Sequence, residues 1–272
     1  MTDLNPHREQ MADESMVRTL DAQNRAIWPQ ESALLGRYGL PDDIRILDAG
    51  CGTGEGSWRL AEMFPRATVL GVDVLDSSID LARSRHGARH GARLAFENQS
   101  IYELRAPDET YDLVVNRHVI HSIPHPERVL AELKRVTKRG GRLHLIPEDY
   151  GMLHFQKGDP DPTEFWQQGP AKFGAITGTD LFIGRNAYGH LVDLGFTDIT
   201  MDYIVVDTLR VPRETFAAII EAWRDGYAGV SAEAMGITVE KSRAYFDRMI
   251  ENIRDPRGYA VWMVPVVGAR VP

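Results

Sequence analysis

Apolar positions first recur at helical spacing, then switch between strand-like runs and helical stripes. Over residues 13–38, Met16, Val17, Leu20, Ile27, Leu34 and Leu35 mark a helical face. The Trp28-Pro29 pair predicts a break into two helices, because a proline ring disfavours helical geometry at the residue before it. Strand-like runs follow at 44–48, 67–73, 93–96, 111–115 and 143–146. Helical stretches at 55–64, 77–86 and 126–137 separate most of them, and the last carries Val129, Leu130, Leu133 and Val136 on one side before Gly140-Gly141. Strands separated by helices of this length predict βαβ units around a parallel sheet.

Beyond Pro147 the pattern changes. Residues 148–184 are rich in Gly, Pro and aromatics and have no clear period. A helix is expected at 186–194, a strand at 198–207, helices across 212–254, and a last apolar strand at 261–267 able to lie antiparallel. The expected class is α/β: a doubly wound, mostly parallel seven-stranded sheet with a helical N-terminal segment and two lid insertions. The division is a cap at 1–40, a core at 41–147, a lid insertion at 148–184, and the rest of the core at 185–272 with a helical insertion at about 211–256. Ligands of open α/β sheets sit at the carboxyl ends of strands. Both insertions leave from such ends and are expected to cover the site.

Composition narrows the function. In 272 residues, 31 Lys and Arg stand against 39 Asp and Glu, a net charge of −8 that speaks against a broad nucleic-acid surface. A single cysteine excludes an intramolecular disulfide and a Cys-rich zinc site. No apolar run approaches the roughly 18 residues of a membrane span, and residues 1–14 lack the core of a signal peptide. The expectation is a cytoplasmic protein with no membrane and no nucleic-acid partner, a possible homodimer.

The most informative stretch is Ile46-Leu-Asp-Ala-Gly-Cys-Gly-Thr-Gly-Glu-Gly56. A strand ends at Asp48, and Gly50, Gly52 and Gly54 turn the chain into a helix. Glycine permits positive φ and close approach of backbone to a ligand. A dinucleotide fingerprint would place its third glycine at position 55, where Glu55 stands. The carboxylates of Asp48 and Glu55 disfavour a pyrophosphate and suit a ligand with positive charge. Asp73 ends the second strand, where an acidic side chain either accepts both hydroxyls of a ribose or caps a helix.

Asp48-Ala-Gly-Cys-Gly-Thr-Gly54, Gly71-Val-Asp73, Tyr111-Asp-Leu-Val-Val115 and Gly140-Gly-Arg-Leu143 together resemble the class I S-adenosylmethionine-dependent methyltransferases, over about 44–147. The resemblance implies S-adenosyl-L-methionine as cofactor. It implies that the backbone of Gly50, Gly52 and Gly54, with Cys51, passes the methionine part and that Asp73 binds the ribose. It further implies that Val74 stacks on adenine, that Ser100 and Ile101 lie at the adenine edge, that Asn116 lies near the methionine part, and that Arg25 and Trp28 close over the cofactor. Many members carry aspartate where this chain has Ser100. Cys51 reads as packing, not as a nucleophile.

Methyl transfer needs alignment and exclusion of water, and a base only where the acceptor must lose a proton. Two clusters follow strand ends: Asn116-Arg-His-Val-Ile-His-Ser-Ile-Pro-His125 and Glu148-Asp-Tyr-Gly-Met-Leu-His154. The candidate catalytic residues are Glu148, Asp149, Tyr150, His118 and His154, with a carboxylate favoured over His118 as base. His121 reads as structural and His125 as an exposed loop residue. A metal held by His118, Glu148, Asp149 and His154 is the less favoured alternative, so no metal is expected. Phe155, Phe165, Trp166, Phe173, Phe182 and Trp223 make the lid aromatic. The expected function is methylation of a small, aromatic or heteroaromatic metabolite at carbon, nitrogen or oxygen, an indole-type ring among them. Alternatives are a tRNA or protein methyltransferase, which is disfavoured because no Asn-Pro-Pro-Tyr-type motif follows the fourth strand, and a non-catalytic cofactor-binding regulator.

Overall fold

Strand β1 (Arg45–Ala49) is buried along four of its five residues. So unbroken an apolar run is what a central parallel strand with both faces covered requires. In the computed structural model, which describes residues 4–272, β1 pairs in parallel with β2 (Thr68–Asp73) and β4 (Tyr111–Arg117). β3 (Leu94–Asn98) lies beyond β2, and β5 (Thr137–Ile146) beyond β4, both parallel. The chain passes between neighbouring strands through α3 (Glu55–Met63), α4 (Asp76–His86) and α5 (Pro126–Val136).

Eight strands form the sheet, not seven. The last, β8 (Val261–Arg270), runs antiparallel to β5 and to β7 (Thr197–Asp207). The additional strand, β6 (Leu153–His154), pairs two residues with Val261 and Trp262 of β8. A two-residue strand carries no alternation that a sequence pattern can register.

The N-terminal segment is α1 (Arg8–Ala12) and α2 (Glu14–Gly36). Contrary to expectation, Pro29 lies inside the unbroken α2. Arg25, whose carbonyl the proline leaves without a donor, lies like Pro29 on the exposed face. The opposite face buries Ala22, Ala26, Ile27, Leu34 and Leu35. Just after the proline, the Gln30 amide donates to the Val205 carbonyl (2.9 Å) and accepts from its N–H (3.1 Å). Packing overrides local propensity here.

Residues 148–184 are not irregular throughout. They contain α6 (Pro162–Thr177), started by Asp161, whose side chain accepts from Thr163 N–H, with Pro162 in the first turn. Gly169, Pro170 and Gly174 within it erase the propensity signal. α7 (Ala187–Asp193) precedes β7. The helical insertion after β7 is α8 (Arg213–Met235) and α9 (Val239–Arg254), separated by a left-handed Gly236. α6, α8 and α9 pack on one another around Phe165, Trp166, Phe216, Trp223 and Phe246. Among the described residues no helix is long and apolar enough to cross a membrane.

Candidate active site

The loop after β1 is shaped by Gly50, Gly52 and Gly54, with φ of 82°, 52° and 81°. At Gly54 space adds to the torsion: a Cβ there would lie 2.8 Å from Ala82 Cβ and 2.7 Å from the Phe96 ring. Asp73, at the end of β2, fixes the loop, since its Oδ2 accepts from Gly52 N–H (2.9 Å) and its Oδ1 from Leu75 N–H (3.0 Å). Burial pushes this carboxyl up, and those N–H groups hold it down. Each oxygen keeps lone-pair capacity for a further donor. Beside it opens a cleft of about 170 Å³ lined by Gly50, Gly52, Asp73, Val74, Ser100 and Ile101, among others. Val74 is 44% exposed there, a bare apolar side chain over the cleft. A glycine floor, a carboxylate and a flanking apolar wall fit a nucleoside with two ribose hydroxyls.

Six residues expected at the cofactor do not line this cleft. Asp48 is buried beneath the loop and accepts from Ser57 Oγ (2.6 Å). Burial pushes its carboxyl up, against the pull of Ser57 and Arg117. Gly54 caps α3, and Cys51 packs against the Phe96 cluster with its thiol pushed well up by burial. Asn116 donates to the Ala49 carbonyl (2.7 Å), tying β4 to β1. Arg25 is exposed, and Trp28 packs against the core cluster that holds Leu35 and Leu60, with the Arg59 guanidinium 5.8 Å from its ring. The α2 residues that do face the cleft are Met16, Thr19, Leu20 and Gln23. They lie on the helix stripe opposite Arg25. Glu55 faces α3 and α4, 3.0 Å from Arg59, and not the cleft.

At the cleft's other end, His118 and Glu148 meet. His118 Nδ1 is hydrogen-bonded to Glu148 Oε1. Glu148 is fully buried, and His118 Nε2 is buried with no partner among the described residues. Both residues line the cleft. Asp149 does not: it accepts two hydrogen bonds from Arg185 (2.7 Å each) and one from Gly151 N–H (3.0 Å). It is a buried anchor for the loop, as Arg185 of the following turn shows. His154 is exposed on β6, away from the cleft. Tyr150 does line the cleft, with its hydroxyl pushed well up by burial beside Glu148. His121 stands edge-on to Tyr150 at 5.6 Å, and burial holds its imidazole well below the usual range. His125 is exposed at the N-cap of α5. Among the described residues, no three His, Cys, Asp or Glu side chains group to hold a metal.

Beneath the cleft runs a buried charge network that the sequence pattern does not reveal. The Arg117 guanidinium lies 2.7 Å from Glu31 Oε1 and donates to Oε2 (2.8 Å) and to Asn24 (3.1 Å). His144 Nε2 is 3.3 Å from Glu31, and its Nδ1 meets Tyr38 Oη at 2.9 Å. Burial would raise the Glu31 carboxyl, but Arg117 and His144 bring it down to about 2.

A methyltransferase-domain family matches residues 40–154. Those residues hold β1 to β6, including the glycine loop, Asp73, His118 and Glu148. The stretch 40–154 is thus similar to a methyltransferase domain, in keeping with the S-adenosylmethionine-dependent class that its motifs resemble. Trans-aconitate 2-methyltransferase of Deinococcus radiodurans is 34% identical over 160 residues, 57% of this chain and 59% of that protein. The 27-O-demethylrifamycin SV methyltransferase of Amycolatopsis mediterranei is 31% identical over 131 residues, 43% and 48% of the two chains. Both alignments therefore span less than two thirds of the relative. In fold, the chain is similar to phosphoethanolamine N-methyltransferase 2 of Haemonchus contortus (TM-score 0.65, 18% identity, all of this chain and 61% of that one). It is also similar to the cyclase SpnF (TM-score 0.62, 20% identity, 100% and 98%).

The cleft adjoins, on its lid side, a second chamber lined by Phe165, Trp166, Phe173, Trp223, Tyr227 and Phe246. Tyr150, His121, Trp223 and Tyr227 line both spaces, so the chamber and the cleft share a wall. Trp166 stacks on Tyr150 (5.7 Å, 5°) and meets Trp223 edge-on (5.9 Å). His7 closes the chamber, tilted on Phe173 at 4.8 Å with Nε2 3.3 Å from Thr179 Oγ1. Of the aromatic residues expected in the lid, Phe155 packs instead against Phe216 (6.4 Å) and Phe182 lies under Arg185 (5.0 Å).

Proposed function

We propose that the protein transfers a methyl group from S-adenosyl-L-methionine to a small aromatic or heteroaromatic acceptor, with His118 as the base and Glu148 as its positioning partner. When bound, the cofactor supplies an electrophilic methyl group on a sulfonium, and the sulfur keeps the bonding pair as the methyl leaves. In this reading Asp73 accepts from the ribose hydroxyls, Val74 and Ile101 flank the adenine, and Gly50 and Gly52 let the backbone approach.

The observation that carries the reading is the continuity of three parts: the glycine–Asp73 cleft, the His118–Glu148 pair and the aromatic chamber share one wall. The Glu148 carboxylate accepts the Nδ1–H of His118, which leaves the Nε2 lone pair to take a proton from an acceptor O–H, N–H or activated C–H. Tyr150 and Trp223 keep water from the reacting atoms. Trans-aconitate, named for the Deinococcus relative, is a polyanion, and an aromatic lining speaks against it as this chain's acceptor. The similarity to a cyclase is a reminder that fold alone does not fix chemistry.

The test is turnover. The protein is incubated with methyl-labelled S-adenosylmethionine and a panel of neutral phenols, indoles and aryl ketones. Label in an organic product, with matching release of S-adenosylhomocysteine, supports the reading. Tight cofactor binding with no transfer to the panel favours a regulator, and label in RNA or protein favours a macromolecular acceptor.

A further inference from the structure

The chamber has two properties that methyl transfer alone does not demand. Among the described residues, no Asp, Glu, Lys or Arg side chain lines it. The indole N–H of Trp166, a residue 6% exposed, is buried without a hydrogen-bond partner among the described residues. We infer that the chamber is the acceptor subsite for an un-ionised ring bearing one hydrogen-bond-accepting oxygen, which bonds to the Trp166 N–H, and that it rejects anionic rings. The inference rests on the proposed function, because it assigns the acceptor of that same site.

Charge decides what can enter. A carboxylate taken out of water needs a counter-charge or several donors. Among the described residues, the basic side chains lining the chamber are His7 and His121. Burial lowers His7 to about 4 and holds His121 well below its usual range, so neither is cationic near neutral pH. A buried tryptophan N–H ordinarily finds an acceptor. Here Tyr150 offers Trp166 only its ring face, so a carbonyl or ether oxygen on the ligand supplies what the protein does not. The shared wall of Tyr150, Trp223 and Tyr227 lets the same ligand extend its reactive end to His118.

Calorimetry on the full chain tests this with three probes on one skeleton: 1-indanone, indane and indane-2-carboxylate. The expected order is 1-indanone about 10-fold tighter than indane and about 100-fold tighter than the carboxylate. Trp166→Phe removes the N–H and keeps a ring. It should bring 1-indanone to the level of indane while leaving indane and S-adenosylhomocysteine within about twofold. Gly169→Leu narrows the chamber that Gly169 lines, and its Cβ meets the end of the unbranched Met235 side chain (3.3 Å) and the Phe165 ring edge (3.7 Å). It should abolish 1-indanone binding with cofactor-product binding retained. Carboxylate binding equal to that of the ketone, an unchanged ketone-to-indane ratio in Trp166→Phe, or undiminished 1-indanone binding in Gly169→Leu each overturns the inference. Failure of S-adenosylhomocysteine to bind the unmodified protein instead overturns the proposed function, whatever the probes do.

Discussion

His118 and Glu148 join the ends of neighbouring strands β4 and β5 through one hydrogen bond, and both hold left-handed backbone, with φ of 58° and 60°. For a non-glycine residue that conformation costs about 1–3 kcal/mol and persists only where the surroundings enforce it. Two such residues facing each other at a ligand cleft indicate a held geometry. Glu148→Gln should lower turnover by about 10²-fold, with cofactor affinity within a few-fold, because the neutral amide no longer stabilises the protonated imidazole. His118→Ala should do at least as much. Once an acceptor is in hand, steady-state kinetics of both variants check this, and near-normal turnover in both would leave proximity as the whole of catalysis.

Asp149 behaves differently despite standing beside Glu148. Its two hydrogen bonds from Arg185 are half exposed on the arginine side, so Asp149→Asn should cost about 1–3 kcal/mol of stability. Thermal unfolding reads that loss. Turnover per folded molecule should stay near normal, and a fall as large as that of Glu148→Gln would mean that Asp149 acts in the chemistry.

The contrast shows what the sequence could tell. Glu148 and Asp149 are adjacent and chemically alike, and only Arg185, which lies far along the chain, separates their roles. The tight glycine turn was legible because its left-handed torsions are set within one local stretch of sequence. Arg25 and Trp28 were assigned by resemblance, while the stripe of α2 that lines the cleft is that of Met16, Thr19, Leu20 and Gln23. α6 was hidden by Gly169, Pro170 and Gly174, although its Asp161-Pro162 start was readable. The network of Glu31, Arg117, His144 and Tyr38 draws single residues from α2, β4, β5 and the turn after α2, and has no sequence signature.

That network makes an acid-stability prediction. The Glu31 carboxyl falls from an ordinary 4.5 to about 2 in the folded chain. A depressed folded value means stability that is present above pH 4.5 and lost as pH falls through 2, worth about 3 kcal/mol at most. Urea unfolding of the parent should weaken across that window. Glu31→Gln should be less stable at neutral pH and show a flatter dependence, and parallel profiles would remove Glu31 from the account.

His7 gives a second pH window. Its imidazole is folded in as the neutral form, lowered from 6.5 to about 4 by burial. Below 6.5 the released segment gains a proton that the docked one refuses, so docking weakens as pH falls towards 4. Hydrogen exchange across residues 4–12 should speed up over that range, relative to the rest of the chain. His7→Phe should abolish the pH dependence, and uniform protection in the parent would contradict the assignment.

We expect the cleft at the ends of β1 and β2 to hold S-adenosylmethionine through Asp73, and calorimetry of the parent and of Asp73→Ala checks this reading. Micromolar-range binding of cofactor and demethylated product is expected, on the order of −8 kcal/mol, and none of comparable strength for NAD. Asp73→Ala should lose at least about tenfold in affinity, since ribose contacts go together with the hydrogen bond that fixes Gly52. An unchanged dissociation constant in the variant, or tighter binding of NAD than of S-adenosylmethionine by the parent, would contradict it.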